Sequence, residues 1–226
     1  KDLELALSTE HLRIEAPVSG EPYIGIEIPN SHKTIVRMRS ILETDMFRKR
    51  STQLAIALGR DISGRPVVVD LTRMPHLLIA GITGSGKSEC VTAIAACLVM
   101  NNSPEDLRMV MVDPRMIELS RFNGLPHLLG KVEANIERIL GILHWLIVEM
   151  EHRYRLLDAA QVSDIEVYNR RAIISRVDII PRIVVLIDEI ADLIAFAPKV
   201  TEQALVRLSQ KAHATGIHLI ITTQHP

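Results

Sequence analysis

Residues Gly81 to Ser88 read Gly-Ile-Thr-Gly-Ser-Gly-Lys-Ser, a full G-x-x-x-x-G-K-S match. An aliphatic run, His76-Leu77-Leu78-Ile79-Ala80, comes directly before it, and a helix-periodic stretch from residue 88 follows. Strand, glycine-rich turn and helix in that order build a phosphate-binding loop. Gly81, Gly84 and Gly86 let the backbone turn tightly. With Ile82, Thr83 and Ser85 completing the ATP-binding loop, they aim backbone N–H groups at phosphate oxygens, and the helix start adds its positive dipole end. Lys87 offers a charge to the terminal phosphates of a nucleotide, and Ser88 offers a hydroxyl to Mg²⁺.

The rest of the chain suits such a loop. Aliphatic runs at Pro66–Val69, His76–Ala80, Met109–Val112, Ile183–Ile187 and Ile217–Thr222 alternate with helical stretches at 88–100, 132–158 and 199–214. Strands buried on both faces read as continuous aliphatic runs, so the expected fold is α/β, a P-loop domain with a mostly parallel sheet flanked by helices. The first forty residues differ: His11–Ala16 and Tyr23–Ile28 alternate like strands, split by Pro17, Gly20 and Pro22, and Pro29-Asn30-Ser31 closes the unit. Residues 41–53, with the basic triplet Arg48-Lys49-Arg50, read as a linker or an exposed helix.

Two aspartates end aliphatic runs, Asp113 and Asp188. Asp188 is the preferred metal-holding acid because Glu189 follows it. One carboxylate can position Mg²⁺ while the other takes a proton from attacking water. That pairing points to an ATPase. Asp113, in Asp113-Pro114-Arg115, is expected near the same crevice, where strand ends gather. Thr222, Thr223 and Gln224 end the final run and are placed to present a polar group to the γ-phosphate.

Composition excludes several classes. Lys plus Arg number 26 against 27 Asp plus Glu, a net charge of −1, so the chain is no polybasic binder. Aromatics make up 3%, too few for a stacking platform for single-stranded nucleic acid. No apolar run reaches the ~20 residues of a membrane span. The absent Met and the abrupt end read as those of a fragment. Cys90 and Cys97 would lie two helical turns apart, beyond disulfide reach, as in a reducing compartment. Leu208-Ser209-Gln210 lacks the glycines of a transporter-type ATP-binding signature. The histidines, among them His76, His127, His144 and His152, lack metal-ligand spacing and read as structural.

Together these residues resemble the FtsK/SpoIIIE family of double-stranded DNA translocases. Further segments look like the family's, in family order: Tyr23–Asn30, Leu58–Gly64, Met74–Gly81, Asp113–Leu119, Gly124–Leu128 and Ala212–Gln224. The resemblance implies a RecA-like motor domain over 41–226 and, over 1–40, the tail of a smaller domain stacked on it. It implies a hexameric ring around duplex DNA, driven by ATP with Mg²⁺ in chromosome segregation at division or sporulation. The chain would be a cytoplasmic piece of a membrane-anchored bacterial protein, attached only through regions it does not contain. Lys87 and Ser88 would be the Walker A pair, Asp188 and Glu189 the Walker B pair, and Gln224 the γ-phosphate sensor.

Two positions depart from the family pattern. His213 stands where members carry an arginine that resembles a trans-acting finger, with Arg207 upstream as a substitute, and His225-Pro226 replaces Arg-Pro. Two other functions fit the same residues. Related secretion ATPases move protein, and a module with a weak finger would bind nucleotide yet hydrolyse it slowly. Glu189 argues against the second.

Overall fold

In a computed structural model of the chain, residues 6–7, 9, 12–18, 22–30, 34–49 and 52–224 are described. His11, Gly20, Ser31, Arg50, His225 and Pro226 of the sequence reading lie outside them. The chain divides into two compact units, Lys1–Arg37 and Met38–Pro226. In the first, Arg13–Glu15 (β1) pairs antiparallel with Gly25–Glu27 (β2).

The second unit opens with two one-turn helices, Arg39–Leu42 (α1) and Asp45–Arg48 (α2). Each buries one apolar residue, Ile41 and Phe47, so this segment is anchored and is neither linker nor fully exposed helix. Arg48 and Lys49 are exposed, and Lys49 pairs with Asp45 at 2.9 Å. Next, Ala55–Arg60 (β3) and Pro66–Asp70 (β4) form an antiparallel hairpin. The Pro66–Val69 run therefore does not join the parallel sheet. An Asp61-led turn folds it back, with Asp61 Oδ1 accepting the N–H groups of Ser63 and Arg65 at 2.9 Å each.

The main sheet has four strands. Leu77–Ala80 (β5) leads into the glycine loop and Lys87–Asn101 (α3), and Leu107–Val112 (β6) follows. Ile136–Ala159 (α4) and Ile165–Ser175 (α5) come next, then Arg182–Ile187 (β7) and Ile190–Phe196 (α6). Pro198–Lys211 (α7) and a 3₁₀ turn, Ala212–Thr215, precede Ile217–Thr223 (β8). Spatial order is β5-β8-β7-β6, every pairing parallel. This is the expected P-loop architecture.

Both sheet faces are buried. Along β7, Ile183, Val185 and Ile187 pack toward α4 and α7 with Leu143, Leu146 and Leu208, while Val184 and Leu186 face the side of α3 with Ile94 and Leu98. Period-two alternation thus serves two cores at once.

Helix ends follow their capping residues. The 132–158 stretch becomes helical only at Ile136 because Asn135 Oδ1 accepts the Arg138 N–H at 3.0 Å. The 199–214 stretch leaves α-geometry after Lys211 and tightens to 3₁₀ before Gly216 turns the chain into β8. Among the described residues no helix is long and apolar enough to cross a membrane.

Candidate functional site

Because all four strands run parallel, their C-terminal ends share one edge of the sheet. Gly81 follows β5, Gln224 follows β8 and Asp188 follows β7, so three distant segments converge there.

The glycine loop is built as its chemistry requires. Gly84 and Gly86 have φ of 79° and 91°, a region closed to most side chains. A Cβ at Gly81 would fall 2.5 Å from Ser85 Oγ. The loop residues Ile82 to Gly86 are exposed, and α3 starts at Lys87 with no side chain capping its first N–H groups. Those donors and the helix dipole point to an anion. Lys87 Nζ donates to the carbonyls of Gly81 at 2.5 Å and Ile82 at 3.2 Å, so its ammonium is held within the loop.

The two acids are organised by one hydroxyl. Thr222 Oγ1 donates to Asp188 Oδ1 at 2.7 Å and accepts the Glu189 N–H at 2.8 Å. Desolvation pushes the Asp188 carboxyl above the ordinary carboxylate range, against the Thr222 bond, and the charges of Asp113, Glu118 and Glu189 add to the rise. A desolvated carboxylate among like charges favours a cation beside it. Glu189 is buried, 4% exposed, with φ at 53°. It precedes α6 but makes no side-chain cap. Its Oε1 instead accepts the Gln224 N–H at 3.2 Å, with Thr223 Oγ1 3.5 Å away. Gln224 Oε1 accepts the Thr83 hydroxyl at 3.3 Å, which links the last strand to the glycine loop.

Asp113 is fully buried, and its oxygens are consumed by its own turn. Oδ1 accepts the N–H of Arg115, and Oδ2 accepts those of Glu118 and Leu119, at 2.9–3.1 Å. Its charge is felt at Asp188, but its lone pairs are spent locally.

His213 and Arg207 are not in this group. His213 is exposed in the turn before β8 and sits edge-on to the His218 ring, 5.7 Å between centroids. The six residue steps from His218 to Gln224 span about 20 Å of strand, so His213 has no reach to its own chain's glycine loop. Arg207 is ion-paired with Glu151. Leu208-Ser209-Gln210 lies within α7. His76 and His127 bond to main-chain atoms: His76 to Ser209 O and the Leu219 N–H, His127 to Asn102 O. The sequence reading missed the Thr83–Gln224 bond and an Arg115–Asp192 ion pair at 3.0 Å.

Comparison with known proteins places this geometry in context. The FtsK/SpoIIIE family model matches residues 37–226, and the FtsK alpha domain model matches residues 1–30. The whole chain is 44% identical to a DNA translocase FtsK of Caldanaerobacter subterraneus, of which it spans 31%. It is 42% identical to the DNA translocase SftA of Bacillus subtilis, spanning 24%, and 42% to the FtsK of Haemophilus influenzae, spanning 47%. The chain thus covers between about a quarter and a half of these relatives.

Among solved structures, the cytoplasmic domain of the type VII secretion ATPase EccC of Thermomonospora curvata superposes with a TM-score of 0.72 at 24% identity, over 84% of this chain and 25% of that one. The pCW3 conjugation coupling protein TcpA, in monomer form with ATPγS, gives 0.70 at 24% identity, over 100% of this chain and 62% of that one. At such identity these likenesses concern the fold.

Proposed function

The chain belongs to the FtsK/SpoIIIE family, and from that premise we propose that it is the ATP-hydrolysing part of a motor that moves double-stranded DNA. Copies assemble as a hexameric ring around the duplex and act in chromosome segregation at division or sporulation. Residues 41–226 form the motor, and residues 1–40 are the tail of a smaller domain. The observation that carries the reading is the convergence of Gly81–Ser88, Asp188-Glu189 and Gln224 on one sheet edge, in a chain 42–44% identical to named DNA translocases.

Each residue has a task in this reading. The loop from Gly81 to Gly86 wraps the phosphates of ATP, with the Gly81 N–H kept by Thr223 O, and Lys87 places its charge on the β- and γ-phosphates. Ser88 and Asp188 are the protein ligands for Mg²⁺, which neutralises developing phosphate charge when bound. The elevated Asp188 carboxyl fits that task. Glu189, held by Gln224 N–H, accepts a proton from attacking water. Gln224, bonded also to Thr83, couples γ-phosphate occupancy to Glu189. His213 lies toward the opposite sheet edge, and it or Arg207 serves the site of a neighbouring copy. Arg207 takes that task only by leaving Glu151.

Likeness to secretion ATPases speaks to fold and does not choose the cargo. The deciding experiment is the steady-state ATPase rate with and without long duplex DNA, at two salt concentrations. Phosphate-backbone tracking predicts strong stimulation by duplex that fades as salt rises. A flat, low rate with intact nucleotide binding overturns the DNA reading.

A further inference from the structure

Arg115 stands on the turn after β6, the turn that Asp113 makes rigid by accepting three backbone N–H groups. Its guanidinium reaches across to α6. There Nε donates to Asp192 Oδ2 at 3.0 Å and Nη2 to Oδ1 at 3.3 Å. Two parallel donors on one carboxylate fix orientation as well as distance. Asp192 lies in the first turn of α6, and its N–H donates to Glu189 O at 3.2 Å. A continuous connection therefore runs from the end of β6 to the residue that begins the helix turn.

Glu189 needs such support. A non-glycine residue in the left-handed region is strained and persists only where its surroundings over-determine it. Thr222 holds its N–H and Gln224 holds its carboxylate. The carbonyl side depends on α6, and α6 is tied to β6 through Arg115.

We propose that Arg115 is a positioning residue for Glu189: by clamping Asp192 it fixes the start of α6 and so holds the Glu189 carboxylate where water activation requires it. This rests on the function proposed above. Arg115 also places a positive charge near both acids. Its own pKa is raised first by the Asp192 bond, and in smaller part by the charges of Glu189 and Asp188. Both partners are partly exposed, so the pair contributes little to stability. Its value is geometric, which separates the clamp from a merely structural role.

The test uses the full chain and two readouts, amide hydrogen exchange over residues 188–196 without nucleotide, and steady-state ATP turnover resolved into kcat and KM. In Arg115→Ala, exchange in this segment rises roughly ten-fold while the melting temperature barely moves. Nucleotide affinity and KM are unchanged, and kcat falls roughly ten- to hundred-fold. Arg115→Lys keeps the charge without the two-point hold and restores only part of kcat. Asp192→Ala reproduces the exchange effect, and the double variant is no worse than either single one. Unchanged exchange in Arg115→Ala, or additive losses in the double variant, overturns the clamp. A wild-type chain that binds no nucleotide would strike the proposed function, while the exchange and coupling results would still decide the clamp.

Discussion

The backbone N–H of Gln224 donates to Glu189 Oε1 at 3.2 Å, so the carboxylate suited to take a proton from water is gripped by the exit of the neighbouring strand. Glu189 is also one of the non-glycine residues with positive φ, and α6 starts immediately after it. In Glu189→Gln the side chain keeps its shape and a carbonyl oxygen for Gln224, but loses its basicity. Nucleotide binding should persist while turnover falls by roughly 10²- to 10⁴-fold, the range for a lost general base. Single-turnover ATP hydrolysis beside a nucleotide titration checks this, and normal hydrolysis would show that another group is the base.

Lys87 holds two loop carbonyls, and in the proposed function it exchanges them for phosphate oxygens. Hydrogen bonds to a charged group are worth about 1.5–3 kcal/mol, so Lys87→Met should weaken nucleotide binding by roughly ten- to hundred-fold. Its circular dichroism should match wild type. Titration of a fluorescent ATP analogue reads the affinity directly.

Asp188 carries a charge that folding opposes, since burial and three neighbouring acids raise its pKa. A raised acid pKa means that the charged form costs stability at neutral pH, a cost relieved as pH falls through the raised value. Asp188→Asn keeps an acceptor for Thr222 and removes the charge. It should abolish Mg²⁺-dependent turnover while raising the melting temperature. Thermal unfolding without Mg²⁺ is the check, and a melting temperature below wild type would contradict the electrostatic account.

Arg153 is 3% exposed and bonds Glu149 at 2.7 Å, Pro181 O at 2.9 Å and Thr215 O at 3.0 Å. It ties α4 to the entrances of β7 and β8, at the sheet edge opposite the site. Arg153→Ala would leave a carboxylate and two carbonyls short of partners, for a loss of about 3–5 kcal/mol. Chemical denaturation measures it. Nucleotide affinity per folded molecule should be unchanged, because the affected edge is remote from the glycine loop.

How much of this was legible in the sequence depended on how local each determinant is. The glycine loop could be read because positive φ at Gly84 and Gly86 is written in the residue type. The parallel core strands could be read from unbroken aliphatic runs. Pro66-Val67-Val68-Val69 gives the same signal, yet it pairs antiparallel with β3, a choice made by the turn at Asp61. The helix α5 escaped because its pattern is mixed. Asn169 is buried and bonds both polar groups of the Ile180 backbone, while Ile173 and Ile174 are exposed. Asp113 and Asp188 have similar contexts, and only the fold reveals that the oxygens of Asp113 are committed to its turn. Arg115 and Asp192 are 77 residues apart, and no local pattern links them.

His218 supplies a pH-dependent test of the sheet's far edge. It is 2% exposed, and its Nδ1 pairs with Pro75 O at 3.0 Å, which assigns the proton to Nδ1 in the neutral ring. Burial lowers its pKa to about 4, with the charges of His213, His76 and Arg182 pressing the same way against the Pro75 bond. His76 is also lowered, chiefly by burial, and its ring bonds Ser209 O at 3.1 Å and the Leu219 N–H at 3.0 Å. Between the unfolded value near 6.5 and about 4, the unfolded chain takes up a proton that folded His218 refuses. Stability from this residue is therefore complete above the unfolded value and drains away as pH falls, by about 3 kcal/mol in all. Denaturation midpoints at about pH 7, 6 and 5 should decline steadily in the wild type. In His218→Gln the decline should be shallower by one proton's worth, with the remainder owed to His76 and other groups. An equal slope in both proteins would mean that His218 is protonated in the fold, and that the Pro75 bond does not hold a neutral ring.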